Sequence, residues 1–173
     1  MGRGRGALLP QRISARGTPP PDSGGLQTSG PVAGLGQGIA LSETFEFELV
    51  PIERLRAHEQ YVEADVQALL RQIRNKGEFD NPIWVAKGSY VILNGHHRVE
   101  ALRKLGLKRI PAWVFDYQGD HVALGRWRPG PPIAKTEVVQ RAHRGRPFPP
   151  KTTRHRLRVE LPPRTAPLEQ LAT

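Results

Sequence analysis

The sequence predicts a small α/β (α+β) domain, a sheet with helices packed against it, and two observations carry that expectation. Short apolar segments with strand periodicity alternate with two segments of helical periodicity, in the order β, α, β, β, α, β between Glu43 and Tyr117. The chain then changes character beyond Gly119, becoming rich in proline and arginine and too polar to fold by itself. The expected organisation is therefore a disordered Gly/Pro-rich tail over 1–42, a central domain over 43–120, and a basic segment over 121–173 that drapes over it.

The tail expectation rests on composition. Residues 1–40 hold ten glycines and five prolines, include 18-TPPPDSGG-25, and show no periodicity. The first strand is predicted in 44-TFEFELV-50, where Phe45, Phe47 and Leu49 alternate with Glu46 and Glu48. A helix follows from the spacing of Val62, Val66, Leu69, Leu70 and Ile73, with Gly77 as its stop. Two strands, 82-PIWVA-86 and 90-YVILN-94, flank a Lys87-Gly88-Ser89 turn. A second helix buries Val99, Leu102 and Leu105 and ends at Gly106, and a last strand lies in 109-RIPAWVFDY-117. Beyond Gly119 a short helix is expected near 134–145.

Composition narrows the chemistry. The chain has no cysteine, which removes disulfides, thiolate metal sites and cysteine nucleophiles. It shows no membrane-length apolar run, and a cytoplasmic protein without a membrane partner is expected. The net charge of +10 is uneven: +3 over 1–40, −1 over 41–125, and +9 over 126–158, where ten basic residues face Glu137 alone. A neutral body with one basic segment fits an anion site as well as a DNA footprint.

The stretch 91-VILNGHHRVEALRKLG-106 is the most informative. It runs from a buried strand through Asn-Gly into a helix. A helix N-terminus presents unpartnered amides and the positive end of the dipole. Gly95 allows close approach of an anion, Asn94 is a suitable N-cap, Arg98 supplies a fork donor, and His96 and His97 add two more donors. Together these make a seat for phosphate; the alternative is an ordinary strand-turn-helix with solvated polar residues. A shared metal ion is disfavoured, because adjacent helical residues point about 100° apart.

Two further motifs have plain readings of their own. Glu59 could serve only the dipole of the following helix. The run 151-KTTRHRLR-158 could be a solvated basic strand, although Lys151, Thr153 and His155 alternate and would share one side of an extended segment.

The block from Leu49 to Tyr117 resembles the ParB/sulfiredoxin fold, through 51-PIERLRAHE-59, 82-PIWVA-86, 92-ILNGHHRVEALRKLG-106 and 110-IPAWVFDY-117. That resemblance implies a mixed sheet and nucleotide phosphates bound by the Gly-x-x-Arg element. Sulfiredoxin chemistry requires a thiol that this chain lacks, and where partition proteins carry a DNA-binding helix-turn-helix after this domain, only one short helix is expected here. With 56-RAHEQYV-62, 94-NGHHR-98, Trp127 and 150-PKTTRH-155, the chain is most similar to the free L-serine kinases of this fold.

The resemblance implies transfer of a phosphoryl group from ATP or ADP, with Mg²⁺, to the L-serine hydroxyl. It implies Glu59 as catalytic base, with Asn94, Gly95, His96, His97 and Arg98 around the phosphates. Trp127, Lys151, Thr153 and His155 would hold the amino acid, and His58 would be structural or a phosphate neighbour. Two features depart from the family: Asn94 stands where Asp is usual, and the segment between Trp127 and Lys151 lacks a large insertion present in an archaeal member. The alternative is a ParB-like regulatory or partition protein that binds nucleotide or DNA without kinase activity.

Overall fold

A computed structural model describes residues 45–173. The expected tail over 1–42 lies outside the described residues. A four-stranded sheet organises the rest, in the order β1 (Phe45–Pro51), β5 (Arg109–Phe115), β3 (Ile83–Ala86) and β4 (Ile92–Asn94). β1 runs antiparallel to β5, β3 parallel to β5, and β4 antiparallel to β3, so the sheet is mixed, as the resemblance implied.

Alternation along the strands sorts their side chains onto two faces. Ile83, Val85, Ile92, Ile110, Ala112 and Val114 face one core, which α1 (Glu63–Lys76) and α2 (His96–Lys104) cover with Val66, Leu70, Ile73, Val99 and Leu102. Leu93, Trp113 and Phe115 belong to a second core, closed by Val122 of β6 (Val122–Arg126), Val138 and Ala142 of α3 (Lys135–His143), and Phe148. Coverage on both sides explains why β5 reads as a nearly continuous apolar run.

The expected periodicities produce these elements. α1 ends where Gly77 takes a left-handed conformation at φ 72° and donates its N–H to the Ile73 carbonyl. β1 differs in one respect. Phe45 and Phe47 pack against the second core, but the fully buried residue is Val50, on the other side of the strand, and Leu49 packs against the first core. With apolar layers on both sides of the sheet, one-face alternation could not predict this.

The segment beyond Gly119 adds pairings that no local pattern announced. β6 pairs antiparallel with β7 (Thr153–Leu157), and β2 (Glu78–Phe79) pairs with β8 (Ala166–Pro167). Among the described residues no helix is long and apolar enough to cross a membrane.

Candidate active site

Two chain segments far apart in sequence meet at Glu59. Phe148 donates its N–H to the His58 carbonyl and accepts the Gln60 N–H, which lays the C-terminal segment beside the His58–Gln60 strand-like stretch. The chain then turns through Lys151, whose φ of 58° is left-handed and uncommon for a residue with a side chain. That turn aims three donors at one carboxylate. Lys151 N donates to Oε1 at 2.6 Å, Thr153 N to Oε2 at 2.9 Å, and Thr153 Oγ1 lies 2.7 Å from Oε2. Glu59 does not cap α1; the Val62 N–H at the start of that helix is accepted by His97 Nε2 at 3.0 Å.

Facing Glu59 is the β4–α2 turn. The N-cap is Gly95, at φ 110°, and not Asn94 as the sequence suggested. A Cβ at position 95 would sit 2.4 Å from Cγ2 of Ile83, so only glycine fits, by backbone angle and by space together. Among the described residues no side chain caps the helix, and the residues of its first turn line the adjoining cavity.

Asn94 ends β4, and its Oδ1 accepts from Arg98 Nη2 at 3.0 Å. Arg98 Nη1 donates to Asn81 O, Asn81 Oδ1 and Pro82 O at 2.7, 2.8 and 3.0 Å. The guanidinium is thus more firmly held than a free phosphate fork would be. Of its five N–H groups, Nε–H and one Nη2–H have no protein acceptor among the described residues. Burial lowers its pKa to about 10, which still leaves it charged at neutral pH.

The histidines also differ from the expectation of two extra phosphate donors. His97 Nε2 is an acceptor, because it takes the Val62 N–H; Asp65 Oδ2, 3.7 Å from that nitrogen, therefore makes no hydrogen-bonded ion pair with it. His96 Nε2 is shielded from solvent and has no hydrogen-bond partner among the described residues, and desolvation pushes the pKa of this histidine well below the ordinary value. His58 is fully buried, with Nδ1 2.6 Å from the Ile92 carbonyl and Nε2 2.8 Å from Thr153 Oγ1. Burial lowers its pKa to about 4, and that of His155 to about 3. The His58 ring packs edge-on against both His96 and His155, at 4.6 and 5.3 Å between centroids.

Between Glu59 and the turn lies a cavity of about 530 Å³. Its lining includes Glu59, all five turn residues Asn94 to Arg98, and the four residues Trp127, Lys151, Thr153 and His155. All ten site residues singled out in the sequence thus meet at one cavity, although Thr153 enters it differently from the expectation. Its hydroxyl is engaged by Glu59 and His58 instead of standing free for a ligand. Trp127 is more than half exposed, with the Arg154 guanidinium 4.4 Å over its ring.

Two contributors were missed in the sequence. Asn81 orients Arg98, and the Tyr117 hydroxyl lies 2.8 Å from His155 Nε2; burial pushes that phenol above its ordinary pKa. The Asn81-Pro82 dipeptide was a visible loop signal, whereas nothing local marked Tyr117. Among the described residues no group of three or more His, Asp or Glu could hold a metal ion.

A mixed sheet with a glycine-capped helix beside the cavity is a ParB-like arrangement. Residues 39–124 match the ParB N-terminal domain family, and this part of the chain belongs to it.

More particular likenesses follow. An ADP-dependent L-serine kinase of Thermococcus kodakarensis is 33% identical over 100 residues, covering 56% of this chain and 41% of that protein. An ATP-dependent L-serine kinase of Staphylothermus marinus is 35% identical over 85 residues, covering 47% of this chain and 34% of that protein. The match thus spans well under half the length of either relative. A solved free serine kinase in complex with AMP shares the fold, with TM-score 0.66 and 20% identity over 74% of this chain and 93% of its own.

Proposed function

We propose that this chain is a free L-serine kinase, transferring a phosphoryl group from ATP or ADP to the serine hydroxyl to give O-phospho-L-serine. The observation that carries the reading is the convergence of Glu59, the Gly95–Arg98 turn and the Trp127–His155 group on one cavity. The names of the relatives support it, and both nucleotides occur among them.

The geometry supports these roles. The phosphates rest on the first-turn amides of α2 and on the spare Arg98 donors, where the helix dipole favours negative charge. Glu59 accepts the hydroxyl proton while the phosphoryl group transfers. The backbone donors of Lys151 and Thr153 hold that carboxylate in place. Lys151, His155 and Trp127 enclose the amino acid and exclude water, with Thr153 acting through Glu59. Magnesium, when present, neutralises phosphate charge. Such an ion would be held chiefly by phosphate oxygens and water, as magnesium in phosphoryl-transfer sites commonly is.

The test is incubation with L-serine and each nucleotide, with phosphoserine read by mass spectrometry. The reading predicts product with at least one donor. No product from folded protein, together with DNA binding that weakens steeply with salt, would favour the ParB-like regulatory reading instead.

A further inference from the structure

The chain of contacts behind Glu59 is one hydrogen short. His58 Nδ1 faces the Ile92 carbonyl at 2.6 Å, and a carbonyl only accepts, so Nδ1 carries the ring hydrogen. In the neutral ring Nε2 is then an acceptor, 2.8 Å from Thr153 Oγ1. An ionised Glu59 is also only an acceptor, 2.7 Å from the same hydroxyl. Thr153 therefore stands between two acceptors with a single hydrogen to give.

No neighbour supplies the missing hydrogen. The other donors on Glu59 are the amides of Lys151 and Thr153, which cannot reach His58 Nε2 by turning. His155 Nε2 is engaged with Tyr117, and His96 Nε2 has no partner among the described residues. Burial keeps His58 neutral, with its pKa lowered to about 4, so the ring does not bring a second hydrogen of its own.

We propose that Thr153 and His58 form a hydrogen-bond relay behind Glu59, one that is completed only when Glu59 holds the proton taken from the substrate hydroxyl. This rests on the kinase reading. The serine O–H breaks and a Glu59 O–H forms as the new P–O bond replaces the donor's P–O bond. The loss of charge on Glu59 lets the Thr153 hydrogen turn to His58 Nε2 without leaving its own oxygen. With the captured hydrogen on Oε2, the carboxyl oxygen that Thr153 faces, Thr153 Oγ1 becomes its acceptor. All three contacts are satisfied after proton capture, and only two before it. Thr153 and His58 are positioning residues here; neither needs to touch serine.

Two measurements decide it. Nitrogen NMR of the histidine rings in the full chain, without substrate, reads the relay directly. Glu59→Gln removes the charge that competes for the Thr153 hydrogen, so the His58 Nε2 resonance moves upfield. The move is absent when Thr153→Val is also present. A His58 Nε2 resonance indifferent to Glu59→Gln would overturn the relay.

In the kinase assay, Thr153→Val lowers kcat about ten- to hundredfold with the KM for serine little changed, and Thr153→Ser restores it. Wild-type kcat in Thr153→Val, or a loss that Thr153→Ser does not recover, would also overturn it. A moving His58 resonance in a protein that makes no phosphoserine would sink the kinase reading and not the relay.

Discussion

The two walls of the cavity are built on opposite principles. The β4–α2 turn has donors to spare: a helix start with no side-chain cap and, among the described residues, two guanidinium N–H groups without a protein acceptor. The Glu59 wall has acceptors to spare: one carboxylate, one buried imidazole, and a single hydroxyl hydrogen between them. A surplus of donors suits an anion that arrives complete. A surplus of acceptors suits a proton that arrives during the reaction. The contrast separates binding from chemistry within one pocket.

The sharpest way to break that separation is Glu59→Gln. It should cut turnover by about two to four powers of ten, the usual worth of a general base. Nucleotide affinity, followed by calorimetry, should stay unchanged. Weakened nucleotide binding would place Glu59 on the wrong wall.

Gly95→Ala probes the other side. The added Cβ must displace Ile83 and hold a left-handed backbone, so stability should fall by about 2–5 kcal/mol in urea unfolding. Nucleotide binding should weaken with it, while Glu59 keeps its partners.

Acid should act through the buried histidines of both walls. His58, His96 and His155 all have lowered pKa values in the fold, mainly through burial. Below pH ~6.5 the unfolded chain takes up protons that these folded histidines refuse. Stability is therefore fully present above that pH and falls as pH drops toward about 4 and then about 3, the folded values of His58 and His155. Each such histidine contributes a slope of about 1.4 kcal/mol per pH unit. Denaturant midpoints between pH 7 and 4 measure it, and a flat profile would contradict neutral burial of the three rings.

The smallest expected effect is that of Asn94→Asp. The new carboxylate keeps the acceptor for Arg98 Nη2 and strengthens that bond by charge. Turnover should be equal or higher, and a complete loss would give Asn94 a role of its own.

Much of this architecture was legible because it is local. The spacing of Val66, Leu70 and Ile73 and the stop at Gly77 define α1 without reference to anything distant. The turn from Asn94 to Arg98 announces its chemistry in five consecutive residues. Its capping was misread because Gly95 and Asn94 are both good caps by type, and only the crowding at Ile83 shows which one the backbone uses.

The Glu59 wall was legible as a set of residues but not as a mechanism. Thr153 looked like a ligand contact, since nothing in its neighbourhood shows that a residue 94 positions earlier would take its hydroxyl. The same holds for β2 and β8, two-residue strands too short to carry a period. Long-range pairing decides such elements.

The central claim is that nucleotide and serine meet between these two walls. A crystal structure with ADP and L-serine bound tests it most directly. The account predicts phosphate oxygens on the His96–Arg98 amides and the serine hydroxyl within hydrogen-bond reach of Glu59. A nucleotide seated away from Gly95, or serine bound beyond reach of Glu59, would contradict it.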